Sequence, residues 1–244
     1  MLGRPWTRCS RANVAATVIL DLYGTLVEPD WPTLLRGRAA LASRVGIPPE
    51  AAHRAWDTTH LARMSGAYGS LADDLHAVFS EAAGGCAAPA SRSLLLELAA
   101  QERENWRGGV RLFPETFVGL RRLRSAGHLL AIVTNASAEA ASVIEGLGLT
   151  PLVDAVLASC DAGVLKPELL EFALRSLRID ARGSFAVDDE PAQLDHAAEL
   201  GMGTILVRRK GAEAPPAAVS PHLRASDLEH AADLVAGAQP GPRQ

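Results

Sequence analysis

The chain is poor in cysteine, with Cys9, Cys86 and Cys160 the only three in 244 residues. Their wide spacing and odd number argue against a disulfide framework and against a zinc cluster, and a reducing cytoplasm is the expected location. Positive charge is not in excess either: the formal net charge is −4 and the pI about 6.0. That removes any general attraction to nucleic acid or to an anionic membrane, so an anionic small-molecule substrate must be held by local cations, a metal or backbone amides. No apolar run approaches the ~20 residues of a membrane span. Arg4, Arg8 and Arg11 precede the apolar run Val14–Leu20, which has the outline of a signal peptide. The run is only strand-length, however, and ends in Asp21 with no small-residue cleavage pattern, so residues 1–13 read as a flexible leader. The seven histidines show no metal-ligand spacing. What remains is an ordinary globular composition, 48% hydrophobic and 21% charged, enough for a sizeable core. It leaves the oligomeric state open.

The stretch Thr17–Val27, Thr-Val-Ile-Leu-Asp-Leu-Tyr-Gly-Thr-Leu-Val, reads as a buried parallel strand that delivers Asp21 to its C-terminal end before Gly24 turns the chain. Open α/β sheets place their ligands at that edge. Beyond Pro29 the texture changes. Residues 30–109 have helical spacing, as in Leu34, Leu35, Arg38, Leu41 and Ala42, with breaks that divide them into about four helices. Gly108-Gly109 and Glu28-Pro29-Asp30 make a pair of hinges for this insert. From residue 110 to 210 strands alternate with helices: apolar runs end at Thr134-Asn135, Ala158, Asp188-Asp189 and Val207. Together with residues 14–29 this predicts a Rossmann-like parallel sheet with helices on both faces, an α/β fold with an inserted all-helical unit. Residues 211–244 read as a tail with one possible helix, Ser226–Val235.

Polar residues fall at the strand ends in a chemically coherent order. Asp21 is placed to attack an electrophile. Thr134, Asn135 and the amides after them donate to the transferring group. Lys166 neutralises charge, and Asp188 with Asp189 holds a divalent cation, for which oxygen ligands favour Mg²⁺. The bland alternatives are a helix cap for one of the paired aspartates and a surface lysine before Pro167. Trp31, Trp56 and Trp106, with Phe79, Tyr68 and Met64, read as core of the insert. Arg121-Arg122-Arg124 and Arg208-Arg209-Lys210 read as solvated faces.

The ordered set Asp-Leu-Tyr-Gly-Thr-Leu, Val-Thr-Asn, Leu-Lys-Pro and Val-Asp-Asp-Glu-Pro, followed by Ala-Ala-Glu-Leu-Gly-Met, resembles the four motifs of the haloacid dehalogenase superfamily over residues 16–210. The helical insert is similar to that family's mobile cap in its dehalogenase-like and phosphoglycolate-phosphatase-like members. The resemblance implies a hydrolase with Asp21 as covalent nucleophile, and Mg²⁺ held by Asp21, the Tyr23 carbonyl, Asp188 and Asp189. Two departures pull apart. Phosphatase members carry an aspartate acid two residues after the nucleophile, where this chain has Tyr23, a poor proton shuttle near neutrality and similar to 2-haloacid dehalogenases. The acidic pair Asp188-Asp189 resembles instead the Mg²⁺-dependent phosphatases. Arg36, Arg38, Arg54 and Arg63 are candidates for a dehalogenase-type carboxylate-binding arginine. Three readings follow: a phosphatase for a small phosphorylated metabolite, a 2-haloacid dehalogenase-like enzyme, and a non-catalytic binding protein on the same scaffold.

Overall fold

The computed structural model describes residues 15–85, 90–209 and 220–238; the 1–13 leader, Cys9, Cys86 and much of the 211–244 tail lie outside them. Strand β1 is Thr17–Leu20, and β2 is Val27–Pro29. The insert follows as α1 (Trp31–Arg44), α2 (Pro49–Thr58), α3 (His60–Met64), α4 (Leu71–Ala82) and α5 (Arg92–Gly109). The chain continues through β3 (Val110–Leu112), α6 (Thr116–Ser125), β4 (Leu129–Thr134), α7 (Ala140–Gly146) and β5 (Ala155–Ala158). It ends with α8 (Ser159–Ala162), α9 (Glu168–Ser176), β6 (Ser184–Asp188), α10 (Pro191–Glu199), β7 (Gly203–Val207), β8 (Leu223–Ala225) and α11 (Leu228–Gly237).

Six strands form one sheet in the order β5-β4-β1-β6-β7-β8, and every pair is parallel. As the alternation of strands and helices predicts, β1 is central and apolar on both faces. Its Val18 and Leu20 pack with Leu120, Leu123, Ile144 and Leu228, whereas Ile19 packs with Leu169, Leu170 and Leu194. The insert has an apolar cluster of its own, in which Leu41, Trp56, Leu75, Phe79 and Leu98 are buried. Its helices start where the sequence offers caps. Asp30 accepts from the Thr33 N–H at 3.2 Å to open α1, and Ser70 with Asp73 forms a capping box at α4.

Two expectations are corrected. The second of the four expected helices is two, α2 and α3, because the chain bends at Thr59. The segment after residue 211 contributes more than a helix: β8 extends the sheet beside β7 and α11 packs on α6. The two expected hinge segments lie next to each other. Pro29 pairs with Val110 and Val27 with Leu112 in an antiparallel ribbon, Asp30 N–H donates to Gly109 O at 2.7 Å, and Gly109 lies inside the last turn of α5 against Leu34. Both crossings of the chain into the insert therefore run side by side.

Candidate active site

The C-terminal ends of β1, β4 and β6 converge, and they bring the acidic residues with them. Asp21 leaves β1 with its N–H donating to Val187 O at 3.0 Å, so the last rung of the ladder fixes its backbone. One oxygen each from Asp21, Asp188 and Asp189 lies within 4.8 Å of the others. Asp21 and Asp188 are 8% and 6% exposed, and burying such charges costs several kcal/mol unless they are paired. Lys166 supplies one pairing: its Nζ donates to Asp21 Oδ1 at 2.6 Å and to Asp188 Oδ2 at 2.8 Å. Lys166 thus belongs to the cluster, and the surface-lysine alternative is excluded. Asn135 Oδ1 accepts from the Lys166 N–H at 2.8 Å, which holds the lysine loop against the end of β4. Thr134 is buried as the last residue of that strand.

The aspartate pair is no helix cap. The N-cap of α10 is Glu190, without a side-chain cap; Asp188 Oδ1 instead accepts from the Glu190 N–H at 2.9 Å. Thr25 Oγ1 donates to Asp189 Oδ1 at 3.3 Å. Gly24 adopts φ +86°, and a Cβ there would stand 2.3 Å from Asp189 Oδ2, so the turn after Asp21 admits only glycine if Asp189 is to keep its place.

Three carboxylates around one ammonium leave negative charge in excess. Burial is the main cause that pushes the Asp21 carboxyl up, partly offset by Lys166 and reinforced by Asp188. Asp189 is pushed up to about 6 by burial and by Asp188. Lys166 is raised, the two aspartates outweighing its own burial. A small oxygen-lined cluster with surplus negative charge fits a hard divalent cation. Such an ion would be held by Asp21, Asp188 and Asp189.

The Tyr23 side chain packs apart from the carboxylates. Its ring packs 5.6 Å from the Trp106 ring and against Ala136, Ala140 and Ala158. Burial, then Glu139 and Asp21, raise its phenol well above 10, so it is no acid for neutral pH. Of the conspicuous aromatics, Trp56 and Phe79 do lie in the insert's core. Trp106 joins the main core, while Trp31 is 51% exposed at the start of α1 and Tyr68 is exposed. Among the four candidate arginines, Arg36 and Arg54 are exposed, Arg63 is buried, and the Arg38 side chain is nearly so.

Arg209 was missed. Read as part of a solvated run, it is largely buried, donates to Gly24 O at 2.7 Å and Thr25 O at 2.8 Å, pairs with Glu115, and stacks 3.4 Å from the Phe113 ring centroid. It ties the loop after β1 to the end of β7 and orders the turn on which Asp189 rests. Cys160 is a free thiol pushed up to about 12 by burial.

This edge-of-sheet arrangement defines a class, a parallel α/β protein with an acidic cluster at the end of its central strand. The haloacid dehalogenase-like hydrolase family model matches residues 15–201, and the chain belongs to that family. It is 37% identical over 99 residues to a ribulose-1,5-bisphosphate 5-phosphatase of Halopiger xanaduensis, covering 39% of this chain and 41% of that protein. It is 31% identical over 143 residues to a phosphoglycolate phosphatase of Mesorhizobium japonicum, covering 55% of this chain and 63% of that one. The matched part therefore spans less than two thirds of either relative. A solved 2-haloacid dehalogenase of Pseudomonas syringae pv. Tomato shares the fold, with TM-score 0.68 at 23% identity over 92% of this chain and 99% of that one. Among the described residues no helix is long and apolar enough to cross a membrane.

Proposed function

We propose that this hydrolase is a Mg²⁺-dependent phosphatase acting on a small phosphorylated, anionic substrate, with Asp21 as nucleophile. The observation that carries the reading is the excess of carboxylate: Asp21, Asp188 and Asp189 crowd within 4.8 Å with one ammonium between them. A metal-free displacement has no use for Asp189. A divalent cation bound there supplies charge neutralisation to the attacking carboxylate and the transferring group. Asp21 Oδ2 is the oxygen free to attack, since Oδ1 is held by Lys166. Lys166 orients that carboxylate and offsets its charge, and Asn135 fixes the lysine. With the helices of residues 31–109 acting as a cap over this edge, bulk water is kept out while Asp21 Oδ2 attacks phosphorus and the P–O bond to the alkoxide breaks; a water then cleaves the aspartyl phosphate, releasing phosphate and restoring Asp21. The phosphatase-named relatives support the same reading.

A second reading, hydrolysis of a carbon–halogen bond, is favoured by Tyr23 alone, because halide departs without a proton. Tyr23 has a consequence under the first reading as well. Proton transfer by a placed acid is worth about 10²- to 10⁴-fold, so acyl and aryl phosphates should be cleaved faster than plain alkyl phosphates. Assaying phosphate release from such esters beside chloride release from 2-chloropropionate separates the readings. Phosphate alone, lost in chelator and restored by Mg²⁺, is expected; chloride release undiminished by chelator would reverse the assignment. The Mg²⁺ needed for half-maximal activity should rise as pH falls through about 6, because Asp189 must lose its proton to bind the ion. A requirement flat from pH 5 to 8 would remove Asp189 from the metal site.

A further inference from the structure

Where the insert meets the sheet edge, a second group of polar side chains is buried outside the carboxylate cluster. Arg38 of α1 donates from Nε to Glu102 Oε1 at 3.2 Å, with its guanidinium 5.0 Å from the Trp56 ring centroid and 5.5 Å from that of Trp106. Both oxygens of Glu102 are engaged, for it accepts also from Asn105 Nδ2 and Trp106 Nε1, each at 3.0 Å. Arg63 donates to Thr59 Oγ1 and Trp56 O. From the sheet side comes Glu139, 1% exposed, whose Oε2 accepts from Ser137 Oγ at 2.6 Å.

Two atoms stand apart from this network. Glu139 Oε1 and the Tyr23 hydroxyl are buried without a hydrogen-bond partner among the described residues. Buried polar groups are satisfied in the great majority of cases, because one left without a partner has lost its hydration for nothing in return. Glu139 lines a small void together with Arg38, Arg63, Trp56 and Trp106; the Tyr23 ring packs on Trp106, a wall of that void. The pair is also chemically complementary. An ionised carboxylate only accepts, and a phenol near neutrality has a proton to donate.

We propose that Tyr23 and Glu139 are a specificity-determining pair that recognises a hydroxyl on the non-reacting part of the substrate, so that the preferred substrates are phosphate monoesters of small polyhydric alcohols. The Tyr23 O–H donates to the hydroxyl oxygen, and the hydroxyl proton is donated to Glu139 Oε1. Among common metabolite groups a hydroxyl answers both atoms at once. An ammonium group satisfies Glu139 and leaves Tyr23 without an acceptor; a carboxylate satisfies Tyr23 and is repelled by Glu139. The proposal rests on the phosphatase reading and adds to it the chemistry of the group next to the phosphate. A site that pairs with a substrate hydroxyl discriminates strongly against the analogue that lacks it, because its own buried groups are then left unpaired.

The test compares glycerol 3-phosphate with propyl phosphate on the full chain with Mg²⁺, and p-nitrophenyl phosphate reports whether phosphoryl transfer occurs at all. In the wild type kcat/KM for the hydroxylated ester should exceed that for the plain one by at least about tenfold, mainly through KM. Tyr23→Phe and Glu139→Ala should each bring that ratio toward one. Glu139→Gln, which keeps an acceptor oxygen and its packing, should retain most of it. A wild-type ratio near one, or a ratio untouched in both Tyr23→Phe and Glu139→Ala, overturns the proposal while p-nitrophenyl phosphate turnover keeps the phosphatase reading alive. If no ester is hydrolysed and neither alkyl phosphate binds the Asp21→Asn variant in calorimetry, both readings fall together.

Discussion

Replacing Asp21 with asparagine is expected to lower turnover by about three orders of magnitude or more while leaving the fold in place. Asparagine is nearly isosteric, and its amide oxygen can still accept from Lys166 Nζ, which also keeps its 2.8 Å contact with Asp188. What is lost is the charge that attacks. The same variant carries a second expectation of opposite sign. Burial raises the carboxyl of Asp21 in the folded chain above its unfolded value, so the folded chain keeps that proton to higher pH than the unfolded chain does. Stability therefore falls as pH rises through and above the ordinary carboxylate range, and asparagine removes that loss. In chelator at pH 8, Asp21→Asn should melt at a higher temperature than the wild type, and the gap should close toward pH 4. A variant that keeps more than about a tenth of wild-type turnover would exclude Asp21 as nucleophile. A variant less stable than wild type at pH 8 would mean that the Lys166 contact outweighs the burial of the charge.

Lys166→Met should damage both activity and stability. Nζ joins Asp21 and Asp188 through two short contacts in a setting where its own side chain is 9% exposed. Removing one partner of a buried ion pair typically costs about 3–5 kcal/mol, because the remaining charge is left uncompensated. Here two aspartates lose their counter-charge together. Asp21, already raised by burial, escapes by taking up a proton, which links the cost to pH: without the ammonium its folded-state value rises further, and stability falls as pH increases. Urea denaturation in chelator should show the largest deficit at pH 8 and a much smaller one at pH 5. Turnover should drop by about 10²- to 10³-fold, the scale of a lost charge-stabilising donor. Equal midpoints at pH 8, with activity above a tenth of wild type, would remove Lys166 from the centre of the site.

The parts of the site legible in the sequence were those that strands advertise. Asp21, Thr134 and Asp188 end or directly follow unbroken apolar runs, and a parallel sheet aligns such ends whatever their separation in the chain. Lys166 has no strand before it and was placed by its order among the others. Arg209 had no comparable signal. It lies 184 residues from Thr25, whose carbonyl it holds, and it sits between two other cations, where side-chain periodicity says nothing about burial. Strand β8 was equally silent, because Leu223 and Arg224 are exposed and only Ala225 is buried, a pattern that reads as a loop. The ribbon was missed because three-residue strands, one with a proline, lie below the length at which alternation carries information. The orphaned oxygen of Glu139 was beyond any pattern, since it depends on which groups of α1 and α3 are already engaged.

The ribbon of β2 and β3 bears on how the molecule assembles. It leaves the roughly eighty residues between Pro29 and Val110 with their two ends as hydrogen-bonded neighbours. To the sheet, whose strands β1 and β4 must meet across that interval, the intervening chain is a loop whose closure by itself would cost about 4 kcal/mol from the logarithm of its length. The insert has its own apolar cluster, and α1 and α5 pack together at its base. Once those helices associate, the ends are already adjacent, and the distance in sequence between β1 and β4 shrinks to that of a short hairpin followed by α6.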